Sequence, residues 1–222
     1  MLKRDPSFSI RDIFKGENLH SLGGGLVLSG FAFVFEHFAN AYALSWVLRP
    51  TSTYVGDLLL DNLPVVNLNF LIVEFALVAL VVGTLFTIIY RPRYFLFALK
   101  ATALLVIARA FFISLTHVGI YPGQIDPGVG FLDHIYTYLN FQTGFFFSGH
   151  TSIPVLGALI YWDRVPERSI FITVAAVLVA AVLLAHVHYS IDVFAAPFIA
   201  YGVFNITRRL FPHDYALIRS HV

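Results

Sequence analysis

Residues 145–162 read FFFSGHTSIPVLGALIYW: three phenylalanines, a polar Ser148-Gly149-His150-Thr151 turn, then an apolar run to Trp162. An imidazole at the mouth of such a run is expensive, because apolar surroundings leave its ring nitrogens without partners. About 38 residues beyond His150 lies a second polar island, His186-Val187-His188-Tyr189-Ser190-Ile191-Asp192, again in apolar sequence. The runs that hold these islands are close to the ~20 residues an α-helix needs to cross a bilayer. That length sets the fold class: an all-α, polytopic membrane protein.

Composition agrees. Of 222 residues, 58% are hydrophobic and only 12% charged, against roughly 25% charged in soluble domains. The net charge of +1 and the lack of any basic run give no footprint for nucleic acid. Cysteine is absent, which excludes disulfides, thiolate catalysis and cysteine-bound metals. The 23 phenylalanines suit a lipid-facing surface or a cavity for an acyl chain.

Outward from these islands, the chain divides into six apolar spans at about 21–48, 69–90, 94–116, 145–162, 169–185 and 189–206. Before them, 1–20 mixes Lys3, Arg4, Arg11 and Lys15 with Phe8, Ile10, Ile13 and Phe14. This predicts an interfacial helix capped by Ser7 or Ser9 and ended by Gly16. The run that follows is too long for the core of a secretory signal and contains Glu36. One six-helix domain is therefore expected over 21–211, with a tail over 212–222. The termini and the loops after the second and fourth spans hold 11 of the 14 Lys and Arg. The positive-inside rule then makes both termini cytoplasmic and turns both polar islands to the extracytoplasmic side.

His188 and Asp192, four apart at a helix start, share one face. Such a pair is either a buried ion pair joining helix ends or an imidazole oriented by a carboxylate for base or nucleophile work. His150 follows Ser148, a cap candidate, and Gly149. The free amides of a helix start bind anions, phosphate in particular; a plain cap with a snorkelling histidine is the alternative. Arg109 sits roughly 10 Å inside the third span and Glu74 at similar depth in the second, by helix rise. An unpaired charge there is costly, so Arg109 is expected to pair with Glu74, to await a phosphate, or both. Lys100 is expected to snorkel inward, with Glu36 and His37 making a polar helix contact and Lys100 a candidate partner. His186 with His188 and Asp192 forms a weaker candidate metal set, and no other ligand cluster supports it. His117, Asp126, Asp133 and His134 in the loop after the third span are supporting candidates only.

Ser148-Gly149-His150-Thr151 and His188-Tyr189-Ser190-Ile191-Asp192-Val193 resemble the two catalytic motifs of the type 2 phosphatidic acid phosphatase superfamily. More closely, they resemble its sphingomyelin synthase branch, whose six-helix plan also fits. A further match is Arg109, seven residues before Thr116, followed by Tyr121-Pro122-Gly123. The resemblance covers roughly 109–210, with Asp61-Asn62-Leu63-Pro64 an echo upstream. Arg91-Pro92 lacks the Lys that precedes Arg-Pro in the superfamily's phosphatases, and 180–184 lacks their Ser-Arg pair, as the synthase branch does. The acidic residue that often precedes the Phe-Ser-Gly-His run is missing here.

The resemblance implies an enzyme without a metal or other cofactor. His188, oriented by Asp192, attacks a lipid phosphate to form a phosphohistidine. His150 serves as general acid and then base, and Arg109, Ser148 and Gly149 hold the phosphoryl oxygens. The substrate implied is a phospholipid or sphingolipid. The acceptor is a lipid hydroxyl such as that of ceramide or diacylglycerol, or water in a phosphatase. A membrane transport or binding protein is the alternative of another class. It requires polar residues through the whole thickness, whereas these cluster at one face.

Overall fold

The computed structural model describes residues 8–47, 49, 51–126 and 146–219, and in these it is helical without strands. In chain order the helices are α1 (Ile10–Ile13), α2 (Gly16–Val47), a π-helical turn (Leu71–Phe75) running into α3 (Ala76–Tyr90), α4 (Pro92–Leu115), α5 (Gly149–Ile160), α6 (Val165–Leu184), α7 (Ser190–Leu210) and α8 (Pro212–Arg219). Among the described residues, five stretches are long and apolar enough to cross a membrane: Gly16–Val47, Leu71–Tyr90, Pro92–Leu115, Val165–Leu184 and Ser190–Leu210. They fit an integral membrane protein.

The fourth expected span holds only α5, whose 12 residues rise about 18 Å, short of a hydrocarbon core of about 30 Å. Its start is fixed by Phe146 and Phe147, whose φ of 146° and 40° no helix residue adopts. Its end is the turn at Tyr161. Apolar composition continues past both ends, but the backbone does not. Pro92 at the first position of α4 and Pro166 at the second of α6 start their helices where a missing N–H costs nothing.

At the amino end, Ser9 caps α1 and exchanges bonds with Asp12, its amide donating at 2.9 Å and its hydroxyl at 2.7 Å. Ser7 lies outside the described residues. Gly16, expected to end this helix, instead opens α2 with φ +49°. Nothing between Glu17 and His20 breaks a helix, so the first span extends back past its membrane portion. Ile10 and Phe14 are exposed, whereas Ile13 is buried against Leu22 and Leu96.

α4 is the hub, touching α2, α3, α5, α7 and α8. Two close approaches depend on glycine. A Cβ on Gly25 would lie 2.8 Å from Leu99 Cδ2, and one on Gly157 would lie 2.5 Å from Phe171 Cδ1. Phe97, Leu105, Phe147, Leu156, Ala196 and Ala200 fill the middle of the bundle between α4, α5 and α7. A second core, with Leu60, Ile72, Tyr121, Val182, Val187 and Val193, lies under the loops at the end where α6 gives way to α7.

Charges are buried in pairs. Arg91 donates to Glu167 Oε1 through Nε at 2.9 Å and Nη2 at 2.7 Å. Lys100 does not snorkel; it is buried and bonds Asp214 at 2.5 Å and Ser21 Oγ at 2.7 Å. The segment expected as a tail thus carries a helix docked on the base of α4, with Ile218 buried beside it.

A buried ammonium that loses its carboxylate keeps its desolvation cost. Asp214→Ala is therefore expected to cost about 3–5 kcal/mol, and Lys100→Met with Asp214→Leu to recover most of it. Thermal unfolding in detergent reads this; equal unfolding temperatures for wild type and the single variant would contradict it.

Candidate active site

α6 and α7 are joined by a tight turn in which His186 adopts φ +56°, a left-handed conformation costly for a residue with a Cβ. The turn is held from outside. Val66 N donates to Leu184 O at 2.8 Å, Ile125 N to Ala185 O at 3.0 Å, and the Tyr121 ring packs edge-on against His186 at 5.3 Å. Tyr121 in turn hydrogen-bonds the Asp61 carboxylate, which pushes its phenol up to about 12. His186 is thereby turned onto Tyr121, and among the described residues neither of its ring nitrogens has a hydrogen-bond partner. No group of three metal-ligating side chains is found among the described residues, so the candidate set of His186, His188 and Asp192 does not assemble.

Just past the turn, His188 Nδ1 lies 3.4 Å from Asp192 Oδ2, both residues being buried. The same oxygen accepts Tyr189 N at 3.2 Å, the backward half of a capping box. A carboxylate oxygen only accepts, so Nδ1 is the protonated nitrogen and Nε2 keeps the lone pair.

The Ser148 turn meets this helix directly: Ser148 N donates to Asp192 O at 2.9 Å. His150 and His188 then stand with ring centroids 5.9 Å apart. His150 Nε2 bonds the Ile72 carbonyl at 3.0 Å, so Nε2 carries a proton, and Nδ1, buried and without a partner among the described residues, keeps the lone pair. Ser148 holds the N-cap position of α5, but its hydroxyl makes no cap bond. Ser148 Oγ and Thr151 Oγ1 are both buried without partners among the described residues. Arg109 lies alongside: a Cβ built on Gly149 would sit 3.8 Å from Arg109 Nε.

Arg109 does not pair with Glu74. Its Nη1 forms an ion pair with Glu36 Oε1 on α2, while Glu74, half-buried in the π-helical turn, makes no hydrogen bond among the described residues. Instead α2 lies along α4 and presents Glu36 to Arg109. Glu36 therefore does not pair with Lys100 either. Asp126 contributes its carbonyl, which accepts Asn69 Nδ2 at 2.7 Å. His117 stacks on Trp46 at 4.8 Å. Asp133 and His134 lie outside the described residues, as does Phe145. Phe147 is fully buried in the protein core beside Phe112.

One residue here has no local sequence signal. Asp57, from the loop after α2, is buried and accepts Ser190 N at 2.6 Å, at the first turn of α7.

Residues 143–209 match the family model described as PAP2 superfamily C-terminal. That segment contains both polar islands and leaves the first 142 residues unmatched. No curated protein matches the chain.

The His150 tautomer is open to direct measurement. Nitrogen NMR of histidine-labelled protein, assigned with His150→Gln, is expected to show Nε2 protonated and Nδ1 bare. An Nδ1–H tautomer would break the bond assigned to Ile72.

Proposed function

We propose that the chain is an integral-membrane lipid phosphotransferase that moves a phospho-head-group from a phospholipid to a lipid hydroxyl, as sphingomyelin synthases do. The observation that carries this reading is the pairing of His150 and His188 at 5.9 Å. It occurs beside a helix start where, among the described residues, Ser148 Oγ and Thr151 Oγ1 are buried without partners. Unpaired hydroxyls and amides next to an arginine are what a phosphoryl group requires. The match of 143–209 to the superfamily's model supports phosphatase or phosphotransferase chemistry.

In the proposed reaction His188 Nε2, its ring held by Asp192, attacks phosphorus. The P–O bond to the glycerol oxygen breaks, and His150, which takes up a proton at Nδ1 as the anionic phosphate binds beside it, gives that proton to the leaving oxygen. The phosphohistidine so formed keeps the head group. His150 Nδ1 then takes the proton of the acceptor hydroxyl, whose oxygen attacks phosphorus as the P–N bond breaks. Arg109 and the amides at the start of α5 hold the phosphoryl oxygens as charge develops.

Charge bears on the donor. In the sequence, the portions assigned to the extracytoplasmic half contain only two cations, Arg49 and Arg109. Arg109 already faces Glu36. One half-neutralised arginine suits a singly charged phosphodiester better than a doubly charged phosphomonoester, which favours head-group transfer over hydrolysis. The distribution of Lys and Arg supports a site on the extracytoplasmic face with both termini in the cytoplasm.

Purified protein given head-group-labelled phospholipid is expected to release diacylglycerol and label ceramide or diacylglycerol, with little label in water. His150→Ala is expected to lower turnover about 10²–10⁴-fold, and His188→Ala to abolish it. Turnover independent of any lipid acceptor would make the enzyme a phosphatase, and unchanged turnover in His188→Ala would remove the nucleophile.

A further inference from the structure

Helix α7 lacks a cap of its own. Its N-cap residue is Tyr189, whose side chain is too long to turn back onto the first amides of the helix. The phenol goes elsewhere, donating to Gly119 O at 2.8 Å and accepting Val55 N at 3.4 Å. Asp192 Oδ2 reaches back to Tyr189 N and also faces His188 Nδ1, so this carboxylate already serves two donors. Ser190 N, the first amide of the helix, is taken by Asp57 Oδ2 at 2.6 Å. Asp57 Oδ1 meanwhile accepts Leu59 N at 3.0 Å and Leu60 N at 3.2 Å, which fixes the carboxylate in its own loop.

We propose that Asp57 is a positioning residue for His188: a cap supplied in trans, from 133 residues earlier in the chain, that leaves Asp192 free to orient the histidine. Without it, the vacated Ser190 amide competes for the Asp192 carboxylate, the nearest acceptor on its own helix. His188 then loses the partner that fixes its tautomer and ring angle. A carboxylate at a helix start is also favoured by the partial positive charge there. This role rests on the reading of His188 as the nucleophile, but the cap itself does not.

Burial pushes the Asp57 carboxyl up, but the amides of Ser190, Leu60 and Leu59 outweigh it and hold the group below its ordinary value near 3.8. A group depressed on folding stabilises the fold fully above its unfolded value. That contribution is lost as pH falls through the lower, folded value. The cap is therefore complete at neutral pH.

The test has two readouts. Hydrogen exchange over 189–193 is expected to accelerate at least tenfold in Asp57→Ala and by less in Asp57→Asn, whose single amide oxygen can serve Ser190 N or the Leu59 and Leu60 amides but not both. Turnover is expected to fall about 10–100-fold in Asp57→Ala through kcat with KM held, the usual scale for a group that orients another. Asp57→Asn, with one accepting oxygen in place of two, is expected to recover part of it. If Asp57→Ala does not fold, Asp57→Ser, whose hydroxyl is too short to reach Ser190, is measured instead. Unchanged exchange would overturn the cap. Faster exchange with unchanged kcat would overturn its link to His188. An inactive wild type that still shows the exchange difference would sink the functional reading while leaving the cap intact.

Discussion

Asp192 is the residue on which the rest of the site depends. Its carboxylate faces His188 Nδ1 and the Tyr189 amide, and its carbonyl accepts the Ser148 amide. One residue thus ties the α6–α7 turn to the start of α5. Because Ser148 N is held at 2.9 Å from Asp192 O, His150 two residues on is brought beside His188. The strained backbone at Phe146, Phe147 and His186 sits on both sides of this junction. Such conformations persist only where surrounding contacts over-determine them. Here the contacts are Phe147 in the core, Tyr121 on His186, and the loop amides of Val66 and Ile125 on the turn.

The second constraint is the cost of charge away from water. Arg109 with Glu36, Lys100 with Asp214, and Arg91 with Glu167 are each buried as a pair joining separate helices. Two of these pairs lie wholly outside the matched segment: α2 supplies Glu36 to Arg109 and α8 supplies Asp214 to Lys100. The amino-terminal third thus does more than fill the membrane, since it provides the partner of Arg109 and the loop that caps α7.

Much of this was legible in the sequence, and the misses have physical reasons. Ser148-Gly149-His150 reads as a helix start, and α5 begins there; His188 does meet Asp192, but from the turn before Tyr189 rather than from a shared helix face. Depth along a span also follows from counting residues, which placed Arg109 and Glu74 at similar levels. Rotation about the helix axis does not follow where almost every position is apolar, and so Glu36 rather than Glu74 meets Arg109. The run 145–162 looks like a full span because hydropathy is blind to φ; Phe146 and Phe147 end the helix from that side. Asp57 was readable only as one acid in a polar loop, because no local pattern says which amide 133 residues away it will reach.

The central claim is that His188 carries the phosphoryl group during turnover. The direct measurement is to quench the enzyme in alkali during turnover of phosphorus-labelled phospholipid and to locate the label by mass spectrometry. The account predicts an acid-labile, alkali-stable adduct on the peptide bearing His188, absent from His188→Ala and accumulating when the acceptor lipid is withheld. Label on His150, or turnover with no protein-bound phosphorus at any time, would contradict it.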